Sequence, residues 1–262
     1  MLKSHESGME IRLNYKKGVI MTKIDNVVPG DKWKFDAEVA DCFSDMLSRS
    51  IPQYDVMRET SAQLVADVVN KRRAFTILDI GCSDGLMIQT MLKYFTGDTG
   101  RFVGVDVSEP MLEKAQKRFE IVNAASTNRV IINNCDLRYN FPTNDYDAIT
   151  SILSIQFIPI EYRQQIIQNI YDNLVPGGAF IFVEKVLGNT SKINKLFVDN
   201  YYRMKGNNGY SKEQIERKRL SLEGVLVPIT SNWNVSLLKQ VGFKDIDVYW
   251  RWCNFVGYIA IK

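Results

Sequence analysis

Short apolar runs alternate with amphipathic stretches from residue 75 to residue 183, and this alternation leads the fold prediction. The first apolar run stops at a glycine, which is typical of a buried strand. The stretches between the runs carry apolar residues at helical spacing. Repeated strand–helix units predict a parallel sheet with helices on both faces. The expected strands span 75–80, 102–106, 130–133, 146–152 and 179–183, and the expected helices span about 87–95, 109–122 and 161–174.

The pattern changes at both ends of this core. Apolar residues recur at helical spacing across 33–54, and 64–69 indicates a second helix. Residues 186–235 are polar and helix-rich, and they carry no strand signal. Two strands at 246–250 and 255–261 lie close together and predict a hairpin. The predicted fold is therefore α/β: a Rossmann-like, mostly parallel sheet with N-terminal helices and a helical insertion before a C-terminal β-hairpin.

The first thirty residues carry little apolar periodicity and end in Pro29-Gly30. We expect residues 1–30 to form a leader that is partly disordered, and residues 31–262 to form one domain with its insertion at about 186–235. Met1 and Met21 both stay open as the first residue of the native chain.

Composition and charge exclude several classes of protein. The chain has 262 residues and a net charge of +3, too small to indicate nucleic-acid binding. No apolar run approaches the roughly 20 residues that cross a bilayer, and the N-terminus has no signal-like apolar segment. The four cysteines lie far apart without a CxxC pair, which favours free thiols in a reducing cytoplasm over disulfides or a zinc site. We therefore expect a cytoplasmic protein without a membrane or direct nucleic-acid partner and without a metal.

A single histidine, His5, lies in the polar leader. A histidine base, a histidine metal site or a Ser-His-Asp triad would have to use it, and loose termini rarely carry such sites. The chemistry is therefore expected from carboxylates, tyrosines, lysines, arginines or a cofactor.

Candidate binding residues follow three consecutive strands. The stretch 78–85, Leu-Asp-Ile-Gly-Cys-Ser-Asp-Gly, follows the first strand and opens a helix, so its glycines allow close backbone approach to a ligand. Alone it could equally be a tight turn. Asp106 ends the second strand a little beyond the offset expected for a ribose-binding acid. Asp136-Leu137 follows the third strand and can bracket an adenine. Because open α/β sheets bind ligands along this edge, the three features together predict a nucleotide site.

These motifs resemble class I S-adenosylmethionine (SAM) dependent methyltransferases across about residues 30–262, with 174–178 (Leu-Val-Pro-Gly-Gly) completing the layout. More narrowly, the chain resembles the carboxy-SAM synthase family of the tRNA wobble-uridine modification pathway. The stretches specific to that family are Trp33-Lys-Phe-Asp36 with 43–54, Gly81-Cys-Ser83, and 208–211 with Lys218-Arg219 and Leu222-Glu223.

The resemblance implies roles for individual residues. Arg219 would hold the extra carboxylate of carboxy-SAM, a role that suits a guanidinium because it binds carboxylates bidentately. The alternative for Arg219 is a surface residue of a basic run. The cofactor, which would be SAM, carboxy-SAM or S-adenosylhomocysteine, would be bound by Tyr54, Gly81, Cys82, Ser83, Asp106, Val107, Asp136, Leu137 and Ile152.

The family reaction moves the carboxyl group of prephenate onto the SAM methyl, by way of decarboxylation, a sulfonium ylide and capture of carbon dioxide. It needs neither histidine nor metal. The family also implies a homodimer, in which Arg219 would act in its own subunit or in its neighbour. The aromatic residues between Tyr249 and Tyr258 are expected in the core or at a dimer contact.

Three features depart from the family pattern and keep other functions open. Ile152 stands where the family has an asparagine, and Asp84 adds a carboxylate that would repel an anionic second substrate. Residues 201–203 replace a histidine-containing segment. An ordinary methyltransferase acting on a small molecule is the second hypothesis, and a SAM-binding protein without turnover is the third.

Overall fold

The computed structural model describes residues 23–69, 74–95 and 99–262. An eight-stranded sheet has the order β3-β2-β1-β4-β5-β8-β7, with the short β6 pairing β5 beside that path. The strands are β1 (Ala74–Ile80), β2 (Thr99–Asp106), β3 (Arg129–Asn134), β4 (Tyr146–Ile152), β5 (Leu174–Leu187), β6 (Ile229–Thr230), β7 (Asp245–Trp252) and β8 (Phe255–Ile261). The helices are α1 (Ala37–Ser50), α2 (Tyr54–Val69), α3 (Leu86–Met91), α4 (Glu109–Ala125), α5 (Ile160–Asn173), α6 (Ser191–Asn207), α7 (Lys212–Leu222) and α8 (Ser231–Val241).

The first five strands are parallel, and β8 and β7 add the antiparallel hairpin. The apolar runs form these strands because both faces of the sheet are covered. Helices α5 and α8 pack on one face, and α2, α3 and α4 pack on the other. The predicted mostly parallel α/β sheet with a C-terminal hairpin is confirmed.

Three element predictions needed adjustment. The second N-terminal helix was expected at 64–69 but spans Tyr54–Val69. The fifth strand was expected at 179–183 but runs from Leu174 to Leu187, because β4 pairs with Leu174, β8 extends the ladder to Lys185, and β6 pairs with the last two residues. The insertion at 186–235 was expected without a strand, but Ile229–Thr230 pairs in parallel with Val186–Leu187. Helix α8 then carries on past residue 235 and ends at Gly242, whose φ of 117° closes it.

The N-terminal segment of the described chain is anchored on the insertion. Asp25 is fully buried and accepts hydrogen bonds from Tyr210 and from the Lys218 ammonium. Arg49 donates a 2.8 Å bond to the Asp25 carbonyl. Residues 1–22 lie outside the described residues, so the predicted leader stays a prediction there, while residues 23–30 already lie beside α1 and α7.

Local capping fixes the helices that border the sheet edge. Asp36 caps α1 by accepting a 3.0 Å bond from the Val39 amide, and Ser108 caps α4. Helix α7 starts with a capping box, Ser211 and Gln214. These caps set where α1, α4 and α7 begin beside the carboxyl ends of the strands.

Candidate active site

One cavity of about 420 Å³ opens at the carboxyl ends of β1, β2, β4 and β5. Its volume lies within the range of small-molecule sites. Nine of the ten residues singled out from the sequence line it, and Arg219 does not. Their individual roles stay predictions. The nine are Tyr54, Gly81, Cys82, Ser83, Asp106, Val107, Asp136, Leu137 and Ile152.

The loop after β1 is shaped by residues with positive φ. Gly81, Ser83 and Gly85 have φ values of 67°, 50° and 81°. A Cβ on Gly81 would lie 1.9 Å from the Ser154 hydroxyl oxygen, so glycine is required there for space as well as conformation. Ser83 is strained, since a non-glycine residue rarely adopts this conformation. The loop therefore presents its backbone closely to the cavity.

Asp106 holds that loop in place. Its two carboxylate oxygens accept the amide of Ser83 at 3.0 Å and the amide of Ser108 at 2.9 Å. Burial raises the pKa of Asp106, and the amide donors oppose that rise. Each oxygen keeps a further lone pair, so the carboxylate can still accept ribose hydroxyls.

Asp79, on β1, contributes a second buried carboxyl group. Thr150 donates a 2.6 Å bond to one of its oxygens, and the other oxygen has no partner among the described residues. Burial raises the pKa of Asp79 to about 7. An unpartnered acceptor that lines the cavity suits a polar or cationic ligand group.

Tyr54 begins α2 at the opposite wall. The Arg58 guanidinium lies 4.8 Å from its ring centroid, and burial raises the pKa of the phenol to about 12. Tyr54 therefore stays protonated and can donate a hydrogen bond. Asp136, predicted to contact the adenine, forms a 2.5 Å ion pair with Arg138, which the sequence alone did not predict.

Cys82 is part of the loop packing and not a nucleophile. It is 4% exposed, and its sulfur would lie 2.9 Å from a Cβ at Gly104. Burial raises the pKa of the thiol well above its ordinary value. A protonated, buried thiol is inert.

Asp84 does not carry the free charge that its sequence position suggested. Arg118 donates a 2.5 Å bond to one carboxylate oxygen, and its Nε bonds the Asp84 carbonyl at 2.7 Å. Both side chains are nearly buried. The guanidinium partly compensates the charge of Asp84, and the second carboxylate oxygen has no hydrogen-bond partner among the described residues. The expected repulsion of an anionic substrate stays a prediction.

Arg219 lies on the outer side of α7. It forms ion pairs with Glu216 at 2.8 Å and Glu223 at 3.3 Å, both on or beside its own helix. The preceding residue, Lys218, faces the cavity instead. Successive residues on a helix are rotated by about 100°, so Lys218 and Arg219 point in different directions. The geometry of this chain does not place Arg219 at its own cavity.

Sequence reasoning missed several cavity residues. Trp33 and Phe35 form an aromatic wall with ring centroids 6.1 Å apart. Lys185 follows the fifth predicted strand, so its place at the binding edge was available as a signal. Tyr201 and Lys205 lie on the polar helix α6, where no sequence signal marked their inward direction.

The cavity fits a nucleoside cofactor. The predicted ribose acceptor at β2 and the glycine loop at β1 line it side by side, and the predicted adenine residues after β3 complete that side. The predicted roles would put the adenosine over β2 and β3, and the amino-acid portion over β1 beside the unpartnered oxygen of Asp79.

Comparison with known proteins agrees with this geometry. A family described as a methyltransferase domain matches residues 77–178. The chain is 36% identical to the carboxy-S-adenosyl-L-methionine synthase of Methylococcus capsulatus over 88% of this chain and 94% of that protein. It is also 36% identical to the synthase of Desulforapulum autotrophicum over 94% of this chain and 97% of that protein.

Solved structures share the fold at low identity. Human N-acetylserotonin methyltransferase in complex with SAM aligns with a TM-score of 0.56 and 13% identity, over 86% of this chain and 55% of that one. An O-methyltransferase family protein from Burkholderia thailandensis aligns with a TM-score of 0.60 and 17% identity, over 87% of this chain and 60% of that one.

The fold and the site together define a SAM-dependent transferase on a class I methyltransferase sheet. Its relatives match nearly the whole chain, including the N-terminal helices and the insertion. The chain belongs to the carboxy-S-adenosyl-L-methionine synthase family. Within the described residues, every helix is too short or too polar to cross a membrane.

Proposed function

We propose that this enzyme makes carboxy-SAM by moving the carboxyl group of prephenate onto the methyl group of SAM. The other products are the aromatic keto acid left when prephenate loses its carboxyl group and its ring hydroxide, and water, which that hydroxide forms with the proton from the SAM methyl group. The observation that carries the proposal is that residues outside the methyltransferase match form part of the cavity wall. The methyltransferase family match covers only 77–178. Trp33, Phe35, Phe43 and Leu222 lie outside that match, yet they line the same cavity.

Those residues fall in the stretches that resemble carboxy-SAM synthases. They enclose the space next to the cofactor residues in aromatic and aliphatic side chains. Bound SAM supplies a sulfonium whose methyl group is the reacting carbon. The chain's own residues would bind and orient the two substrates. They would also exclude water, which strengthens the electrostatic interactions of a charged donor.

We also propose that Arg219 serves the cavity of a second subunit in a homodimer. Its guanidinium lies outside its own cavity, and the insertion carries exposed apolar side chains. Leu220 is 47% exposed beside it on α7, and Leu196 is 60% exposed on α6. Burying such side chains between two copies would be favourable. The charge-assisted grip of Arg219 on a carboxylate would then cross the interface.

We also propose a pathway and a cellular location for the enzyme. Carboxy-SAM would feed tRNA wobble-uridine modification in the cytoplasm. All four cysteines are free thiols, which supports a reducing compartment.

The deciding experiment is mass spectrometry of the products formed from SAM and prephenate. The wild type and Arg217→Ala should form carboxy-SAM, and Arg219→Ala should not. Together with a dimer in sedimentation, that result supports both proposals. Arg217 is a matched control because it is an exposed arginine of the same helix.

Other outcomes separate the alternatives. An ordinary methyltransferase would yield S-adenosylhomocysteine with a small-molecule acceptor and no carboxy-SAM. Ile152, an apolar residue lining the cavity where the family has an asparagine, favours that second candidate. A protein that binds SAM and turns over neither substrate would be a binding protein only.

A further inference from the structure

The cavity ends in a cluster of three lysines. Lys185 lies on β5, just after the part of that strand that pairs with β4. Lys205 lies on α6, and Lys218 lies on α7. Lys218 is neutralised, because it forms an ion pair with the fully buried Asp25. Within the described part of the chain, no hydrogen bond or ion pair holds the ammonium group of Lys185 or Lys205.

Aromatic rings surround the two unpaired ammonium groups. The Nζ of Lys185 lies 4.7 Å from the ring centroid of Tyr201. The Nζ of Lys205 lies 5.6 Å from that ring and 4.9 Å from the ring of Tyr210. Lys205 is only 5% exposed. A buried lysine without an acid partner is rare, because the desolvation of its charge is left uncompensated.

The charges around this end of the cavity do not balance. Asp25 is the acid beside the cluster; it pairs with Lys218 and lies close enough to Lys205 to act on its charge. Arg49, the next cation along, is already paired with Asp45 at 2.7 Å. When Lys185 and Lys205 are both protonated, two positive charges are left over, which matches the charge of a small dicarboxylate.

The position of the cluster separates it from the cofactor residues. The predicted adenosine residues lie at β2 and after β3, and the glycine loop lies at β1. The sheet continues from β1 to β4 and then to β5. Lys185 on β5 thus lies on the opposite side of the cavity from Asp106. On the Lys185 side, the second substrate would face the reacting methyl group.

We propose that Lys185 and Lys205 form a carboxylate-binding subsite for the donor substrate, with the Tyr201 ring between them. This inference rests on the proposed function and adds to it the residues that recognise the donor. The ligand class is a small organic dianion. Each ammonium would donate charge-assisted hydrogen bonds to a carboxylate, and the ring would support the apolar body of the donor.

The subsite is proton-linked. Burial, aided by the charges of Lys218 and Lys185, lowers the pKa of Lys205 to about 7. Burial also lowers the pKa of Lys185 to about 8. The other groups that face Lys205 are Asp25, Arg49 and the tyrosines 201 and 210. A bound anion favours the protonated lysines, so donor binding takes up protons near neutral pH, and the affinity for the donor falls as pH rises from about 7 to about 9.

The test measures prephenate binding to the protein saturated with S-adenosylhomocysteine, by calorimetry, for the wild type, Lys205→Met and Lys185→Met. Lys195→Met is the matched control, because Lys195 is a solvent-exposed lysine of the same helix α6. We expect each cavity variant to lose about 10- to 100-fold in prephenate affinity, the size of one charge-assisted interaction. Affinity for S-adenosylhomocysteine, which also reports folding, should change less than about twofold.

Prephenate affinity unchanged in both variants, or absent in the wild type, overturns the subsite. Carboxy-SAM formation is followed separately by mass spectrometry. If prephenate binding depends on the lysines but no carboxy-SAM forms, the subsite is supported and the proposed function is overturned. If both variants form carboxy-SAM with the wild-type KM for prephenate, the proposed function is supported and the subsite is overturned.

Discussion

The backbone amide of Ser83 donates a 3.0 Å hydrogen bond to the carboxylate of Asp106, and this bond joins the β1 loop to the end of β2. The same carboxylate accepts the amide of Ser108 at the start of α4. One side chain thus orders the loop and offers the acceptor predicted for the ribose. Asp106 serves both purposes because a carboxylate has about four lone-pair sites for donors.

Asp106→Asn should weaken cofactor binding. The amide of asparagine turns one acceptor into a donor, which opposes either the Ser83 or the Ser108 amide. Loss of a charge-assisted bond costs about 1.5–3 kcal/mol, so the Kd for S-adenosylhomocysteine should rise about 10- to 100-fold. Calorimetry measures it, with Asp67→Asn on the exposed side of α2 as control. An unchanged Kd would rule out the predicted ribose contact.

Gly81→Ala should destabilise the protein and abolish cofactor binding. The new methyl group would lie 1.9 Å from the Ser154 hydroxyl oxygen, in a backbone conformation that alanine disfavours. Gly81→Ala/Ser154→Gly removes the clash and leaves the backbone strain of about 1–2 kcal/mol. The double variant should therefore melt at a higher temperature than Gly81→Ala alone. Equal melting temperatures would show that the clash is relaxed elsewhere.

Glu184→Gln should remove a pH dependence of stability. Burial raises the pKa of Glu184 to about 8, from an ordinary value of 4.5. Between these values the folded protein keeps a proton that the unfolded chain has lost, so the contribution of Glu184 to stability is full below pH 4.5 and falls as pH rises to about 8.

The measurement is the free energy of unfolding in urea at several pH values across that window. The wild type should lose stability relative to Glu184→Gln by at most about 1.4 kcal/mol per pH unit. Glu113→Gln, on the exposed face of α4, should track the wild type. Parallel curves for Glu184→Gln and the wild type would contradict the shifted pKa.

Arg118→Met should destabilise the protein strongly, because it leaves the buried Asp84 carboxylate without its guanidinium. Breaking such a pair costs about 3–5 kcal/mol. The double variant Asp84→Leu/Arg118→Met removes both charges and should recover most of that loss. Urea denaturation compares the three proteins. If the double variant were no more stable than Arg118→Met, a group other than Arg118 would have to compensate the charge of Asp84.

The sheet and its binding edge could be predicted because their signals are local. Apolar runs of strand length gave β1 to β5, and topology placed Asp106 and Asp136 at one edge. The orientation of Lys205 could not be predicted, since a lysine on a polar helix is usually solvated. Only the packing of α6 against Tyr210 and the buried Asp25 turns it inward.

The choice between Lys218 and Arg219 depended on the rotation of α7 about its axis. Two adjacent basic residues give no periodic signal that distinguishes the buried position. The family resemblance selected Arg219 for its carboxylate geometry, and the fold turns Lys218 toward the cavity. The length of β5 was underestimated because its extension depends on pairing with strands distant in the chain: β4 at its start, and β8 and β6 at its end.

The ion pair between Asp25 and Lys218 joins residues 193 positions apart. During synthesis, the first partner leaves the ribosome long before the second, so the wall that they form closes only when most of the chain has emerged. The entropy of closing such a loop grows slowly with its length, as about (3/2)RT ln n. The sheet core can therefore form in order of synthesis, whereas a complete binding cavity is one of the last products of folding.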